Sequence, residues 1–195
     1  SSMVFAICLD GNRAFLGGDF AGAQFQARPG LVAVESPTSG SGVLVAFGAA
    51  LVGGSVVRAI EASGADLYFA GQFGSVGSLP RNNIAAVSLA SGTPTSFAPV
   101  FTGNVWALAA LPSGTVYVGG DFTSVTVGMN SSPRRGVASF DAGGNLLPWD
   151  ASVIGTTSGE TVRVLMLDDT TSNGQLWVGG KFTSVPHVGQ QDLTP

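Results

Sequence analysis

Apolar residues along this chain come in short runs broken by Gly, Ser, Asn and Pro. No stretch sustains a capped 3.6-residue apolar period, so the pattern predicts strands throughout and almost no helix. One apolar run recurs as Val4-Phe-Ala-Ile7, Val57-Arg-Ala-Ile60, Val105-Trp-Ala-Leu108 and Val162-Arg-Val-Leu165. A second follows as Phe15-Leu-Gly-Gly-Asp-Phe20, Tyr68-Phe-Ala-Gly-Gln-Phe73, Tyr117-Val-Gly-Gly-Asp-Phe122 and Trp177-Val-Gly-Gly-Lys-Phe182. Between them lie the turns Asp10-Gly11-Asn12, Ser63-Gly64, Ser113-Gly114 and Asn173-Gly174. Two apolar runs joined by a short glycine turn predict a β-hairpin.

A third run opens on arginine, at Arg28, Arg81 and Arg134, and a weaker fourth follows, as in Gly42 to Phe47 or Leu146 to Trp149. The unit is thus four short strands in about 50 residues, the period of a β-propeller blade. The expected fold is all-β, a propeller of four-stranded antiparallel blades over roughly 1–54, 55–103, 104–159 and 160–195. The last blade is incomplete: Gln190 stands where repeats one and two carry arginine, giving about three and a half blades. This reads as a fragment of a longer propeller, or as an open one completed by a partner chain. A β-sandwich would explain the strand density but not the register held across separate elements.

Composition narrows the classes. Only 10% of residues are charged, against about 25% in an average globular chain, and glycine numbers 29. A coiled coil or charged bundle is excluded by the first figure, and a disordered acidic tail by the 45% hydrophobic content. A net charge of −4 with scattered basic residues offers no phosphate-binding surface, so no nucleic-acid partner is expected. No apolar run reaches the roughly 18–20 residues of a membrane span, so no membrane insertion by this segment is expected. The first ten residues lack the basic start of a signal peptide, which reads as a mature or excised segment. Cys8 is alone and reads as a small buried hydrophobe.

The run from Val105 to Val125, with Arg135-Gly-Val-Ala-Ser-Phe-Asp-Ala-Gly-Gly144 after it, resembles the delta-60 β-propeller repeat, which is related to kelch-like cell-surface propellers. The resemblance is close in repeat three, good in two, looser in one and half present in four. It implies an extracellular or cell-surface recognition or assembly module. The family has no general catalytic residues to carry over.

No GxSxG, GxGxxG, P-loop or HExxH occurs, and the single histidine, His187, reads as a loop residue. No catalytic residue, metal or cofactor is expected. Asp19 and Asp121 match Gln72 and Lys181 in the other repeats, which opposes a cation ring and suits a strand-end polar residue at a tight turn. Residues shared by all units should serve the blade: the glycines allow close approach, the phenylalanines fill the space between blades, and Arg28, Arg81 and Arg134 bracket loop carbonyls between blades. Residues that vary are candidates for binding. Phe5, Arg58, Trp106 and Arg163 occupy one variable position in the first strands and would converge near a central channel, where arginine and tryptophan suit an anionic or sugar ligand. Trp149, beside Asp150, is a further sugar-stacking candidate. The excursion Thr126 to Pro133, four residues longer than the matching loops, carries the sequon Asn130-Ser131-Ser132, a glycosylation acceptor in a secreted eukaryotic protein.

The leading functional expectation is a non-catalytic extracellular protein-interaction or structural module of a surface or filament assembly. Its partners would be other subunits or further blades of the same protein. A carbohydrate-binding, lectin-like propeller is the alternative. A hydrolase or lyase with active residues partly outside the segment ranks third.

Overall fold

The computed structural model describes residues 2–24, 26–35, 42–52, 54–151, 153, 160–168 and 175–182. His187, Gln190, the tail Thr183-Ser184-Val185 and the turn at Asn173-Gly174 lie outside them. Every regular element among the described residues is a β-strand, and each paired strand is antiparallel to its neighbours. The chain forms two compact units, Ser1–Ala98 and Pro99–Pro195.

Unit one holds the first two repeats. Repeat one comprises β1 (Met3–Asp10), β2 (Arg13–Asp19), β3 (Gly22–Ala23), β4 (Gln26–Ala27), β5 (Leu31–Glu35) and β6 (Val43–Leu44). Its sheet runs β1-β2-β5-β6, with β3 and β4 as a separate small hairpin. Repeat two comprises β7 (Val56–Ser63), β8 (Asp66–Gln72), β9 (Ser75–Val76), β10 (Leu79–Pro80) and β11 (Ile84–Ser88), and its sheet is β7-β8-β11. Unit two opens with β12 (Val100–Phe101), β13 (Val105–Ala110), β14 (Val116–Gly120), β15 (Ser124–Val127), β16 (Asn130–Pro133) and β17 (Val137–Phe140). It continues with the hairpin of β18 (Thr161–Asp168) and β19 (Gln175–Lys181). Among the described residues, the predicted fourth run forms a strand in repeat one alone. In repeats two and three it contracts to the single bridges Val87↔Pro94 and Phe140↔Leu146.

The stretch Thr126 to Pro133 is not a loop. It is most of a second hairpin, β15–β16, and the same hairpin recurs as β3–β4 and β9–β10. Its ladder has two residues per strand in repeat two and four in repeat three, which accounts for the four extra residues. The arginine after each hairpin closes its stem: the Arg28, Arg81 and Arg134 amides donate to the carbonyls of Ala21, Gly74 and Thr123. Two residues on, Gly30, Asn83 and Gly136 adopt φ of 72°, 66° and 75°. This left-handed turn directs their amides to the Phe20, Phe73 and Phe122 carbonyls at 2.9–3.0 Å. Glycine and asparagine are the residues that tolerate that backbone.

The Arg81 and Arg134 side chains do bracket carbonyls, but within their own repeat rather than between blades. Arg81 donates to Pro80 O and Thr95 O, both at 2.8 Å, and Arg134 to Pro133 O at 2.9 Å and Leu147 O at 3.1 Å. Each guanidinium thereby ties the hairpin to the weak fourth run, where backbone pairing has shrunk to one bridge. Among the described residues, Arg28 makes a long contact with Gln26 Oε1, 3.5 Å. A contact between repeats comes from Arg13, whose Nη1 donates to Leu89 O at 2.9 Å.

The glycine pairs set the close approaches. A Cβ on Gly18, Gly71, Gly120 or Gly180 would fall on the carbonyl oxygen of Met3, Val56, Asn104 or Thr161, respectively. The first glycine of the pair receives the following repeat. A Cβ on Gly17 would stand 2.6 Å from Val57 Cγ1 and 2.7 Å from Ile60 Cδ1, and one on Gly119 would stand 2.7 Å from Val162 Cγ1. Around the first contact lies the unit-one core, with Phe15, Val57, Leu67, Phe69, Val76 and Val87 all fully buried. A second core in unit two gathers Ala107, Ala109, Tyr117, Val137, Val162 and Leu165.

Gly71→Ala should therefore overpack a backbone contact and lower stability by about 1–3 kcal/mol. Gly74→Ala, with nothing within 4 Å of its Cβ position, should stay within about 0.5 kcal/mol of the parent. Urea titrations of both variants would measure the difference, and equal midpoints would refute the steric role.

Candidate functional site

The four variable first-strand residues share one structural cause. The ladder register shifts between Val4 and Ala6, Val57 and Ala59, Val105 and Ala107, and Val162 and Val164. Phe5, Arg58, Trp106 and Arg163 are the residues inside those shifts. An extra residue reverses the facing alternation along a strand, and bulges of this kind re-aim side chains. Val57 and Ile60, three apart, consequently reach the same glycine, Gly17. The intervening residue is left free of the core and able to vary.

Within each unit these residues pair as cation over ring. The Arg58 guanidinium carbon lies 5.0 Å from the Phe5 ring centroid, and that of Arg163 lies 4.4 Å from the Trp106 ring. Trp106 is further fixed, because its Nε1–H donates to Asp121 Oδ2 at 3.2 Å. Asp121 also accepts from the Asn104 amide at 2.6 Å and from Asn104 Nδ2 at 3.1 Å. Arg163 Nε donates to Thr161 Oγ1 at 2.8 Å. Asp121 is thus a strand-end carboxylate that organises the turn before β13, the role expected of it. Asn104, its main partner, was not evident in the sequence, because the matching positions in the other repeats differ.

This arrangement limits what the cluster can bind. One face of the Trp106 indole is occupied by a guanidinium and its N–H by a carboxylate, so a sugar could stack only on the remaining face. Trp149 is half-buried and meets Tyr117 edge-on at 5.3 Å between centroids, packing against the unit-two core. Its neighbour Asp150 lies 3.7 Å from Arg134 Nη1. Asn130 is exposed at the start of β16, with Ser132 partly covered. Among the described residues no group of three His, Cys, Asp or Glu side chains is placed to hold a metal ion.

Cys8 and Glu61 form the other titratable pair. The Cys8 thiol is pushed up by burial, then by the Glu61 and Asp10 charges. Burial likewise raises the Glu61 carboxyl above its usual 4.5. Cys8 is thereby held as a poorly reactive thiol packed against the unit-one core.

An unexpected feature is apolar exposure on two strand faces. On β1, Val4, Ile7 and Leu9 are 52%, 63% and 71% exposed. On the β18–β19 hairpin, Val164, Met166 and Trp177 are 58%, 57% and 55% exposed. Sequence pattern could not show this, since the matching residues Val57, Ile60, Ala109 and Tyr117 are buried.

No family model and no curated relative matches the chain. Among solved structures, the computationally designed Ika4 protein is similar, with a TM-score of 0.52 and 14% identity. The alignment covers 92% of this chain and 91% of that one. At that identity the likeness concerns the fold alone, and it agrees with the all-β architecture.

Two outcomes are expected. Asp121→Ala, which leaves the Trp106 indole and Asn104 amide without their acceptor, should cost about 1–3 kcal/mol. Arg163→Ala should cost only about 0.5–1 kcal/mol. Denaturant titrations followed by tryptophan emission would rank them. For Glu61, a folded-state pKa above 4.5 means stability is full below that pH and is lost as pH rises through the raised value. Glu61→Gln should therefore raise stability at neutral pH and change little near pH 4. Asp66, raised in the same direction, would leave a residual slope. Melting curves between these pH values would check the sign.

Proposed function

We propose that this chain is a segment of an extracellular, delta-60-like β-propeller that acts as a non-catalytic protein-interaction or structural module in a surface assembly. The observation that carries the reading is the pair of exposed apolar faces, on β1 and on β18–β19. Contiguous apolar surface of this kind marks association sites in proteins. The repeated sheets and the glycine contacts between successive repeats support the propeller architecture, with repeats as blades. A sparsely charged surface adds little repulsion between associating chains.

The lectin reading is less well supported by the cluster, because its tryptophans are engaged by Arg163, Asp121 and Tyr117. Asn130, exposed on its hairpin, remains the proposed glycosylation acceptor. A glycan array probed with the parent chain and with Trp106→Ala tests the proposal. No glycan retained by either protein is the expected result. A glycan bound by the parent and lost in Trp106→Ala would replace the proposal with the lectin reading.

A further inference from the structure

The small hairpins of repeats two and three each carry an outer strand, β10 and β16. Their inner strands take a partner on the other side: Leu51 bridges Val76 of β9, and β12 pairs β15. An outer strand is the place where another chain can add a strand, through the backbone groups that face away from the hairpin. The stem bonds show which residues those are. Arg81 N donates to Gly74 O at 3.0 Å, and Arg134 N to Thr123 O at 3.1 Å. Bonded and unbonded pairs alternate along an antiparallel ladder, so the residue before each arginine turns its backbone outward. Pro80 and Pro133 are those residues, opposite Ser75 and Ser124. Proline brings no N–H, and each proline carbonyl already has a donor. Arg81 Nη1 reaches Pro80 O at 2.8 Å, and Arg134 Nη1 reaches Pro133 O at 2.9 Å. Both prolines are exposed, so core packing does not account for them. In repeat one the same position is Ala27, exposed and opposite Gly22. The hairpin therefore forms without proline, and what the proline changes is the edge.

We propose that the Pro80–Arg81 and Pro133–Arg134 pairs are edge guards, which shut the outer strands of the second and third hairpins to strand addition by another chain. The proline withholds the donor and the arginine fills the acceptor, so one dipeptide closes both halves of the edge. The third hairpin depends on it most, because β16 is four residues long and Ser131 also faces outward by the same alternation. Two copies of β16 laid antiparallel would set Ser131 of each opposite residue 133 of the other. With an N–H at 133, each such pair would exchange both of its N–H···O bonds. Pro133 removes one bond from every pair, and Arg134 competes for the acceptor of the other.

Opening the edge tests the guard. Hydrogen exchange of the Ser131 amide in the full chain, followed by NMR up to several hundred micromolar, reads the edge directly, and sedimentation velocity reads the mass. In the parent the Ser131 amide should exchange fast at every concentration. In Pro133→Thr it should become protected as concentration rises, and self-association should tighten roughly 10–100-fold over the parent, the range for two added backbone hydrogen bonds. Association through any other surface is common to both proteins and cancels in the comparison, so the interaction-module reading keeps its own test. Pro80→Thr repeats the experiment on the shorter hairpin with a smaller gain, which covers a loss of folding in either variant. The converse variant, Ala27→Pro, should fold with the parent's stability, because an outward amide bonds nothing in its own ladder. Equal self-association and equal Ser131 exchange in Pro133→Thr and the parent overturn the proposal. So does a parent whose Ser131 amide is already protected on concentration, and an Ala27→Pro chain that unfolds removes the outward facing on which the guard rests.

Discussion

Each repeat depends on one steric fact: a backbone carbonyl at the start of the first strand occupies the space a side chain would need on the last glycine of the second strand. Met3, Val56, Asn104 and Thr161 supply the oxygen to Gly18, Gly71, Gly120 and Gly180. With that approach fixed, the register shift follows within the next residues, and the shift places Val57 and Ile60 on one side of their strand. That side meets Gly17, so the packing between successive repeats descends from the contact within each repeat. The left-handed residues at 30, 83 and 136 belong to the same assembly, since their carbonyls accept the amides of Gly18, Gly71 and Gly120 at 2.9–3.0 Å.

Much of this was legible in the sequence. The glycine blocks, the apolar first strands and their turns identify the main hairpins, because local alternation and turn chemistry are encoded within a few residues. The small hairpins were hidden: Asn130-Ser131-Ser132-Pro133 carries no apolar alternation, and its pairing with Ser124–Val127 is a backbone property. The repeat pattern reads the arginines as brackets between blades, whereas Arg81 and Arg134 bond carbonyls of their own repeat. Thr95 and Leu147 lie 14 and 13 residues downstream, and nothing in a repeat pattern says whether such a carbonyl belongs to the same unit or the next.

The candidate binding residues show a sharper limit. Phe5, Arg58, Trp106 and Arg163 stand out as variable among constant neighbours, and the bulge explains why variation is tolerated there. Their pairing as arginine over aromatic satisfies them locally, so variability alone did not identify a ligand. The exposed faces had the opposite history. Val4, Ile7 and Met166 look like core residues by type and spacing, and only the packing environment makes them surface. Composition describes what a strand can bury, whereas neighbours decide whether it does.

The small hairpin also carries a rule for how such a chain can diversify. Its stem is closed at one end by the arginine amide and its far end projects as a turn at Gly77 or Gly128, both in the left-handed conformation. Lengthening one strand by a residue requires a partner residue on the other, and an odd step would invert which side chains face outward. Growth in fours, as between repeats two and three, preserves both pairing and facing. The hairpin can thus act as an extensible arm whose length changes in discrete steps while the glycine contacts beneath it stay the same.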